Sequence, residues 1–255
     1  FSFIVTLLVV LSGDIQVNPG PPPSTTLATL NIRSLFHANR SVAIADIIET
    51  HHIHILALTE TWENTTTTTP AQLREITPPG FQYFGKPRDM SSTTRSSICG
   101  GGLGFLLRDQ FNPKLSSLPS YPSFESLAVT AKLSSGQVTI FNIYRPPVSS
   151  AYSLPFQTFI SDFSAFLTFV TTTPHEFIIT GDLNIHVNNQ TDPHTVQFLN
   201  LLASHNLRQH VTTPTHYHGN TLDLVITPAQ SILNISSSCS PTSPSDHFIV
   251  LTCLD

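Results

Sequence analysis

The sequence predicts an α/β protein, a mixed sandwich in which two β-sheets pack together and helices lie outside. Three observations carry this reading. Short apolar runs alternate with stretches of helical spacing along the body of the chain. Strands outnumber helices and include a hairpin signal at Ser135-Gly136, which argues against a purely parallel, doubly wound sheet. With 255 residues, 40% of them hydrophobic, the chain can bury a sizeable core as one large domain or two small ones.

The elements follow in order. Leu27 to Ile32 reads as a strand, and Val42 to Ile48 has helical spacing with Ser41 as its N-cap. Ile53 to Thr59 is a strand rich in Ile and Leu, and Thr65 to Thr69 before Pro70 reads as a low-complexity loop. Phe81 to Phe84 is a strand, and Gly100-Gly101-Gly102 punctuates the chain before another at Leu103 to Leu107. Leu127 to Leu133 and Val138 to Ile143 form the hairpin. Leu154 to Val170 carries a helical stripe of Phe156, Phe159, Ile160, Phe163, Phe166 and Leu167. A strand at Phe177 to Thr180, a helix at Val196 to Leu202, and strands at Leu222 to Ile226 and Phe248 to Leu251 complete the body.

Charged residues make up 11%, well below the usual ~25%. The balance is 11 basic against 16 acidic, a net charge of −5. This excludes nucleic-acid binding by bulk positive charge alone, but not a nuclease that holds its substrate through a metal. Arg33, Arg40, Arg74, Lys86, Arg88, Arg95, Arg108 and Arg145 are the candidates for a local basic patch. Cys99, Cys239 and Cys253 contain no C-x-x-C pair, so neither a zinc site nor a disulfide framework is indicated.

Three regions are expected: an apolar leader over 1–20, a Pro/Ser/Thr linker over 21–26 and one domain over 27–255. The chain opens on Phe1 and its one methionine is Met90, as in a piece of a longer reading frame. The apolar run Phe3 to Leu11 is too short to span a bilayer, which takes about 20 residues, so no stable membrane span is expected. Gly13-Asp14-Ile15-Gln16-Val17-Asn18-Pro19-Gly20-Pro21 resembles a 2A-like ribosome-skipping peptide, with Gln16 where that family carries Glu. The resemblance implies release after Gly20 and resumption at Pro21, with Asn18 and Pro19 completing the motif.

Polar residues cluster where the apolar strands end. These are Leu30-Asn31, Thr59-Glu60-Thr61, Asn142-Ile143-Tyr144-Arg145-Pro146-Pro147, Gly181-Asp182-Leu183-Asn184, Thr221-Leu222-Asp223 and Ser245-Asp246-His247. Each could project from a sheet rim toward one cleft. Such a set suits a metal-dependent phosphodiesterase. Carboxylates hold a hard cation, a His and an Asp prepare a water, and amide and phenol donors steady charge on phosphorus.

Taken in order, these motifs resemble the endonuclease/exonuclease/phosphatase superfamily, and most of all the apurinic-endonuclease-like domain of non-LTR (LINE-like) retrotransposons. The resemblance implies a four-layered sandwich of two mixed, mainly antiparallel sheets packed face to face. It implies a Mg²⁺-dependent DNA endonuclease, with Mn²⁺ as a substitute, that leaves a 3′-hydroxyl to prime reverse transcription. Glu60 would be the principal metal ligand, with Asn31 and Asp246 beside it. Tyr144 would donate to the phosphate, Asp182 would position or deprotonate the water, and Asn184 would bind a phosphate oxygen. His247 would orient water or phosphate, with Asp223 fixing its ring. Arg33 stands where repair-type relatives carry Asp, and with Arg145 it is read as a substrate contact. The expected partners are DNA and a downstream reverse transcriptase of the same polyprotein; the expected place of action is intracellular, in the nucleus. The rival readings are a phosphodiesterase of the same superfamily acting on another phosphate ester, and a decayed remnant. His51, His52 and His54 are read as a surface cluster, His216 and His218 as a DNA-facing or plain surface loop in preference to a stray metal site, and His186 as a candidate for the cleft rim.

Overall fold

A computed structural model of the chain describes residues 24–88, 100–147 and 154–254; the ribosome-skipping motif at 18–21 lies outside them. Two six-stranded sheets build the molecule. The first has the order β11-β12-β1-β2-β4-β3 and the second β5-β6-β7-β8-β10-β9. The first sheet comprises β1 (Thr25–Asn31), β2 (Ile55–Thr59), β3 (Phe81–Lys86), β4 (Leu103–Arg108), β11 (Ile235–Ser240) and β12 (Ile249–Leu254). The second comprises β5 (Lys114–Ser116), β6 (Glu125–Leu133), β7 (Gly136–Tyr144), β8 (Glu176–Asp182), β9 (Leu207–Gln209) and β10 (Asp223–Pro228). Among the described residues only β1/β2 and β7/β8 pair in parallel; the other pairs are antiparallel, as expected for two mixed, mainly antiparallel sheets.

Four layers follow from which faces are apolar. Between the sheets, Leu27, Ile55, Phe105 and Val250 meet Val129, Ile140, Ile178 and Val225. On the outer face of the first sheet, α1 (Arg40–Thr50) lays Ile44, Ile47 and Ile48 on Leu30, Leu56 and Leu106. On the outer face of the second, α3 (Phe156–Val170) and α4 (Pro193–Ser204) bury a phenylalanine cluster. Phe159, Phe163, Phe166 and Phe198 pack on Phe124, Phe141 and Phe177. Full burial of each such ring is worth about 1.5–3 kcal/mol, so this stripe anchors the outer layer. No helix among the described residues is long and apolar enough to cross a membrane.

Several boundaries differ from expectation, each for a physical reason. β1 begins at Thr25, inside the stretch read as linker, because Thr25 and Thr26 pair with Leu254 and Cys253 of β12. The cap of α1 is Asn39 in a left-handed conformation, not Ser41. The threonine-rich loop ends in a helix, α2 (Pro70–Glu75). Thr69 caps it, accepting from the Gln72 backbone at 3.3 Å while its own N–H donates to the Gln72 side chain at 2.8 Å. The edge strands β5, β9 and β11 carry no apolar alternation that would announce them.

Register fixes what meets at one rim. Asn31 lies opposite Thr59, so the next residue, Glu60, stands beside it. Asp182 lies opposite Tyr144 on one side and Asp223 on the other. Polar ties join the two sheets below this rim: the Thr29 and Thr180 hydroxyls share a hydrogen bond, and Asn142 Nδ2 donates to Leu58 O at 2.8 Å.

Candidate active site

Close backbone approaches shape the rim before any side chain acts. Gly181 has φ +125, and a Cβ there would sit 2.0 Å from the Ile143 carbonyl oxygen. Only glycine lets β8 press on β7 and set Asp182 opposite Tyr144. Beyond β2, Glu60 and Trp62 both adopt positive φ (53 and 55). That turn is held from both sides: Thr61 and Trp62 N–H donate to Gly102 and Gly101 O at 3.2 and 2.9 Å, and Ser34 N–H donates to Glu60 O at 2.8 Å. Such conformations cost about 1–3 kcal/mol each and persist where the surroundings over-determine them.

Asp182 is the hub. It is fully buried. Its Oδ2 accepts from Asn31 Nδ2 at 2.9 Å and Asn184 Nδ2 at 3.2 Å, and its Oδ1 from the Asn184 backbone at 2.9 Å. Asn31 Nδ2 also donates to Glu60 Oε1 at 2.9 Å, which accepts the Tyr144 hydroxyl at 3.0 Å as well. The indole of Trp62 reaches Glu60 Oε2 at 3.3 Å. From the last strands, His247 Nδ1 and Asp223 Oδ2 are 2.8 Å apart, so the ring is fixed through Nδ1 and its other nitrogen faces away from Asp223. Ser245 Oγ donates to Asn31 O at 2.6 Å, which ties the loop bearing Asp246 and His247 to the end of β1. Donor atoms of Asp182, Asp223 and His247 all lie within 4.8 Å of one another.

The charges shift each other. Burial, then the negative charge of Asp223, push the Asp182 carboxyl up to about 7, against the opposing pull of His247 and the Asn31 amide. Burial lowers His247, but the Asp223 charge and hydrogen bond outweigh it, with Asp182 and Asp246 adding to them, and the imidazolium rises to about 9. Burial and the charges of Glu60 and Asp182 hold the Tyr144 phenol far above its ordinary value, so it serves only as a neutral donor. Burial raises Asp246, but the Arg33 guanidinium outweighs it and holds the carboxyl below the usual range.

The other expected residues take distinct places. Arg33 Nη1 bonds Asp246 Oδ2 at 2.5 Å, so the position where repair-type relatives carry an acid here holds a cation against one. Arg145, expected as a substrate contact, is placed within the fold beside the rim. It is buried, donates through Nη1 to the carbonyls of Leu183 and Asn184 at 3.3 and 3.1 Å, and lies over the Phe156 and Phe159 rings. It therefore braces the Asp182–Asn184 turn. His186 is exposed, with nothing that draws its ring into the rim. Of the first histidine cluster, His54 is structural: its Nδ1 accepts the Thr26 N–H at 3.1 Å.

Two contributors escape sequence reasoning. His216, read as a surface loop residue, pairs as an isolated bridge with His247 and stacks edge-on against its ring. Its Nδ1 accepts the His218 N–H at 3.3 Å, which leaves Nε2 to carry the proton, 3.5 Å from Asp246 Oδ2. The turn residues Gly219-Asn220 were the available signal that this loop folds back. Glu125 bonds Arg88 at 2.5 Å and the Gly102 N–H at 2.6 Å, and Arg88 lies over the Tyr144 ring.

Oxygen donors suited to a hard divalent cation stand at the rim, and among the described residues the groups whose ligand atoms lie within 4.8 Å of one another are Asp182, Asp223 and His247, and His216, Asp246 and His247. Asp246 Oδ1 is buried with no hydrogen-bond partner among the described residues, and Glu60 Oε2 meets only the distant indole. Glu60, Asn31 and Asp246 offer side-chain oxygens, the ligands such an ion takes.

Residues 28–247 match the model of the Endonuclease/Exonuclease/phosphatase family. Solved structures share the fold at low identity. One is the endonuclease domain of TRAS1, a telomere-specific non-LTR retrotransposon, with TM-score 0.65, 14% identity and coverage of 91% of this chain and 98% of that one. Another is the AP endonuclease LMAP from Leishmania major, with TM-score 0.69, 14% identity and coverage of 91% and 87%. A third is the 3′ phosphatase NExo from Neisseria, bound to a product DNA hairpin, with TM-score 0.65, 18% identity and coverage of 91% and 99%. No curated protein matches the chain.

Proposed function

The chain belongs to the endonuclease/exonuclease/phosphatase family, whose members are metal-dependent hydrolases of phosphate esters, and from that premise we propose that it is the Mg²⁺-dependent DNA endonuclease domain of a non-LTR retrotransposon. The observation that carries the hydrolytic reading is the unbroken set of contacts at one rim: Tyr144–Glu60–Asn31–Asp182–Asn184, with Asp223–His247 beside it. A bland set of strand-end polar residues has no reason to bury Asp182 between Asn31 and Asn184 with Asp223 opposite.

Glu60, Asn31 and Asp246 would hold Mg²⁺, which when bound offsets negative charge on the phosphate and the leaving oxygen. The protein's own groups do the rest. Asp182, with a carboxyl near neutrality, takes the proton of the attacking water. Water adds in line to phosphorus, the bond to the 3′-oxygen breaks, and that oxygen takes a proton from solvent. Products are a 3′-hydroxyl and a 5′-phosphate. The His247 imidazolium donates to a phosphoryl oxygen as charge builds, and the Tyr144 hydroxyl and the Asn184 amide join it by exchanging their present acceptors, Glu60 for the one and Asp182 or Arg145 O for the other. Arg145 keeps Asn184 in place through its backbone carbonyl.

The retrotransposon reading is supported by the strand-end motifs, the Tyr144-Arg145-Pro146-Pro147 run and the 2A-like leader of the sequence. It carries with it a reverse transcriptase partner and action in the nucleus. The test is nicking of supercoiled plasmid by the full chain in Mg²⁺ and in EDTA, beside His247→Ala. Nicking that needs Mg²⁺ and vanishes in the variant is the expected result. A folded chain that leaves plasmid intact but cleaves another phosphate ester would overturn the DNA assignment.

A further inference from the structure

The basic residues that looked interchangeable in sequence are mostly committed inside the fold. Lys86 donates to Ser126 O, Arg88 pairs with Glu125, Arg108 lies over the Phe81 ring, and Arg145 braces the Asp182–Asn184 turn. Arg40 is different. It is only 8% exposed, yet no carboxylate pairs with it among the described residues. One end of its guanidinium donates to Pro244 O at 2.6 Å, while its Nε is buried with no partner. A buried charge left so is costly unless an anion arrives.

Arg40 lines an open groove of about 500 Å³ that also takes in Arg33, His37, Trp62, Tyr217 and Asp246. Arg33 and Asp246 belong equally to the rim where hydrolysis is placed, so the groove runs out of the active site itself. Its acid, Asp246, is already paired with Arg33, which leaves the Arg40 charge uncompensated. The Tyr217 residue is 59% exposed at the groove with one side of its ring against His218, and the half-buried Trp62 indole meets His37 edge-on and Glu60 through its N–H. A cation beside aromatic faces is the combination that binds a polynucleotide strand: the charge takes a phosphate and the rings take a sugar or base.

We propose that this groove binds a backbone phosphate of the DNA strand being cut, flanking the scissile one, on Arg40 with Arg33, and that Tyr217 and Trp62 flank the nucleoside between the two phosphates. The inference deepens the endonuclease reading and rests on it for the identity of the ligand. It also accounts for how a chain of net charge −5 holds DNA: one uncompensated cation is placed where the strand leaves the rim.

The test is DNA binding by the full chain in EDTA, followed by fluorescence anisotropy, so that it does not depend on cleavage. The probe is a short duplex, unmodified or with one neutral methylphosphonate at successive positions. The parent should lose affinity when one flanking phosphate is neutralised. Arg40→Gln should bind about tenfold or more weakly and be indifferent to that same modification, with a salt slope shallower by about 0.9 for the lost phosphate contact. Arg40→Lys should recover the charge and most of the slope. Tyr217→Ala removes an exposed ring whose only ring contacts among the described residues are His216 and His218 of its own loop; it should weaken binding about fivefold or more while leaving the salt slope and the urea midpoint unchanged. Should Arg40→Gln fail to fold, the methylphosphonate scan on the parent and Tyr217→Ala still decide. A parent with no sensitive flanking phosphate, or a Tyr217→Ala variant that binds like the parent, overturns the proposal. Competition by inorganic phosphate that is lost in Arg40→Gln, with no sensitive DNA position, would assign the groove to a free phosphate instead. Arg40-dependent binding by a chain that never nicks would keep the groove and remove the hydrolase reading.

Discussion

Asp182→Asn should separate the stability of this protein from its activity, and the sign of the stability change should reverse with pH. The Asp182 carboxyl is raised from 3.8 to about 7, first by burial and then by Asp223. The folded state therefore binds this proton more tightly than the unfolded chain. Its contribution is most favourable below the unfolded value, is lost as pH rises from about 4 to about 7, and is fully lost above that. At about 1.36 kcal/mol per pH unit, the rise amounts to roughly 4 kcal/mol of stability given up at neutral pH to keep an ionised base in the site.

Asparagine does not titrate, so it escapes that loss. It brings its own penalty. Three donors point at Asp182: Asn31 Nδ2, Asn184 Nδ2 and the Asn184 N–H. An amide keeps its oxygen on the two donors at the Oδ2 position and turns its NH₂ toward the Asn184 N–H, at a cost of about 1–3 kcal/mol that does not depend on pH. The parent should therefore be the more stable at pH 4.5 and the variant at pH 8, the gap between them moving by about 3 kcal/mol. Urea unfolding of both proteins in EDTA at the two pH values measures this directly. Nicking by the variant should fall by at least about a hundredfold, because the group proposed to take the water's proton is gone. A stability difference that is the same at both pH values would refute the account of Asp182 as a buried, strained base.

Three further outcomes are expected. The pH profile of kcat/KM for nicking should rise through about 7 as Asp182 deprotonates and fall through about 9 as His247 loses its proton; Asp223→Asn should pull the upper limb down, and an upper limb that stays in place would show that Asp223 does not sustain the imidazolium. Tyr144→Phe, which removes the 3.0 Å bond to Glu60 and the neutral donor to phosphate, should lower kcat about 10²- to 10³-fold while costing only about 1 kcal/mol of stability; unimpaired turnover would exclude the donor role. Gly181→Ala meets the Ile143 carbonyl at 2.0 Å and should lose more than about 3 kcal/mol, whereas Gly136→Ala, at φ +128 with nothing within 4 Å, should lose only the strain of about 1–3 kcal/mol; equal urea midpoints for the two would contradict the close β7–β8 approach.

How much of this was legible depended on whether an element had to be apolar. The strands buried on both faces, such as β2 with Ile55, Leu56, Ala57 and Leu58, announce themselves as continuous hydrophobic runs. The helix carrying Phe159, Phe163 and Phe166 does so by its spacing. β11 does not: Ile235-Ser236-Ser237-Ser238-Cys239-Ser240 is an edge strand held by pairing to β12, and half-buried hydroxyls satisfy that geometry as well as apolar groups would. α2 was legible in principle, since Thr69-Pro70 with Gln72 is a capping box, but the run of threonines before it masks the signal.

The candidate site residues were legible for a related reason. Each follows directly on an apolar strand, so strand register alone carries it to the rim, and Asn31, Glu60, Tyr144, Asp182 and Asp223 could be read as a group without knowing any loop. What strand order cannot convey is which charges are already answered. Arg145 sits next to Tyr144 in sequence, but its guanidinium turns inward to carbonyls that only the folded turn at Leu183 and Asn184 presents. His216 lies in a loop with no periodicity, and only the fold-back through Gly219 sets its ring against His247. Arg40 and Arg33 are seven positions apart on either side of a turn, and only the structure makes one of them the partner of Asp246 and leaves the other buried without an acid. Acids at strand ends are thus positioned by topology, whereas cations on long side chains are assigned by the partners they reach. An anion-binding surface on such a fold has to be found by asking which of its cations the fold has left unanswered.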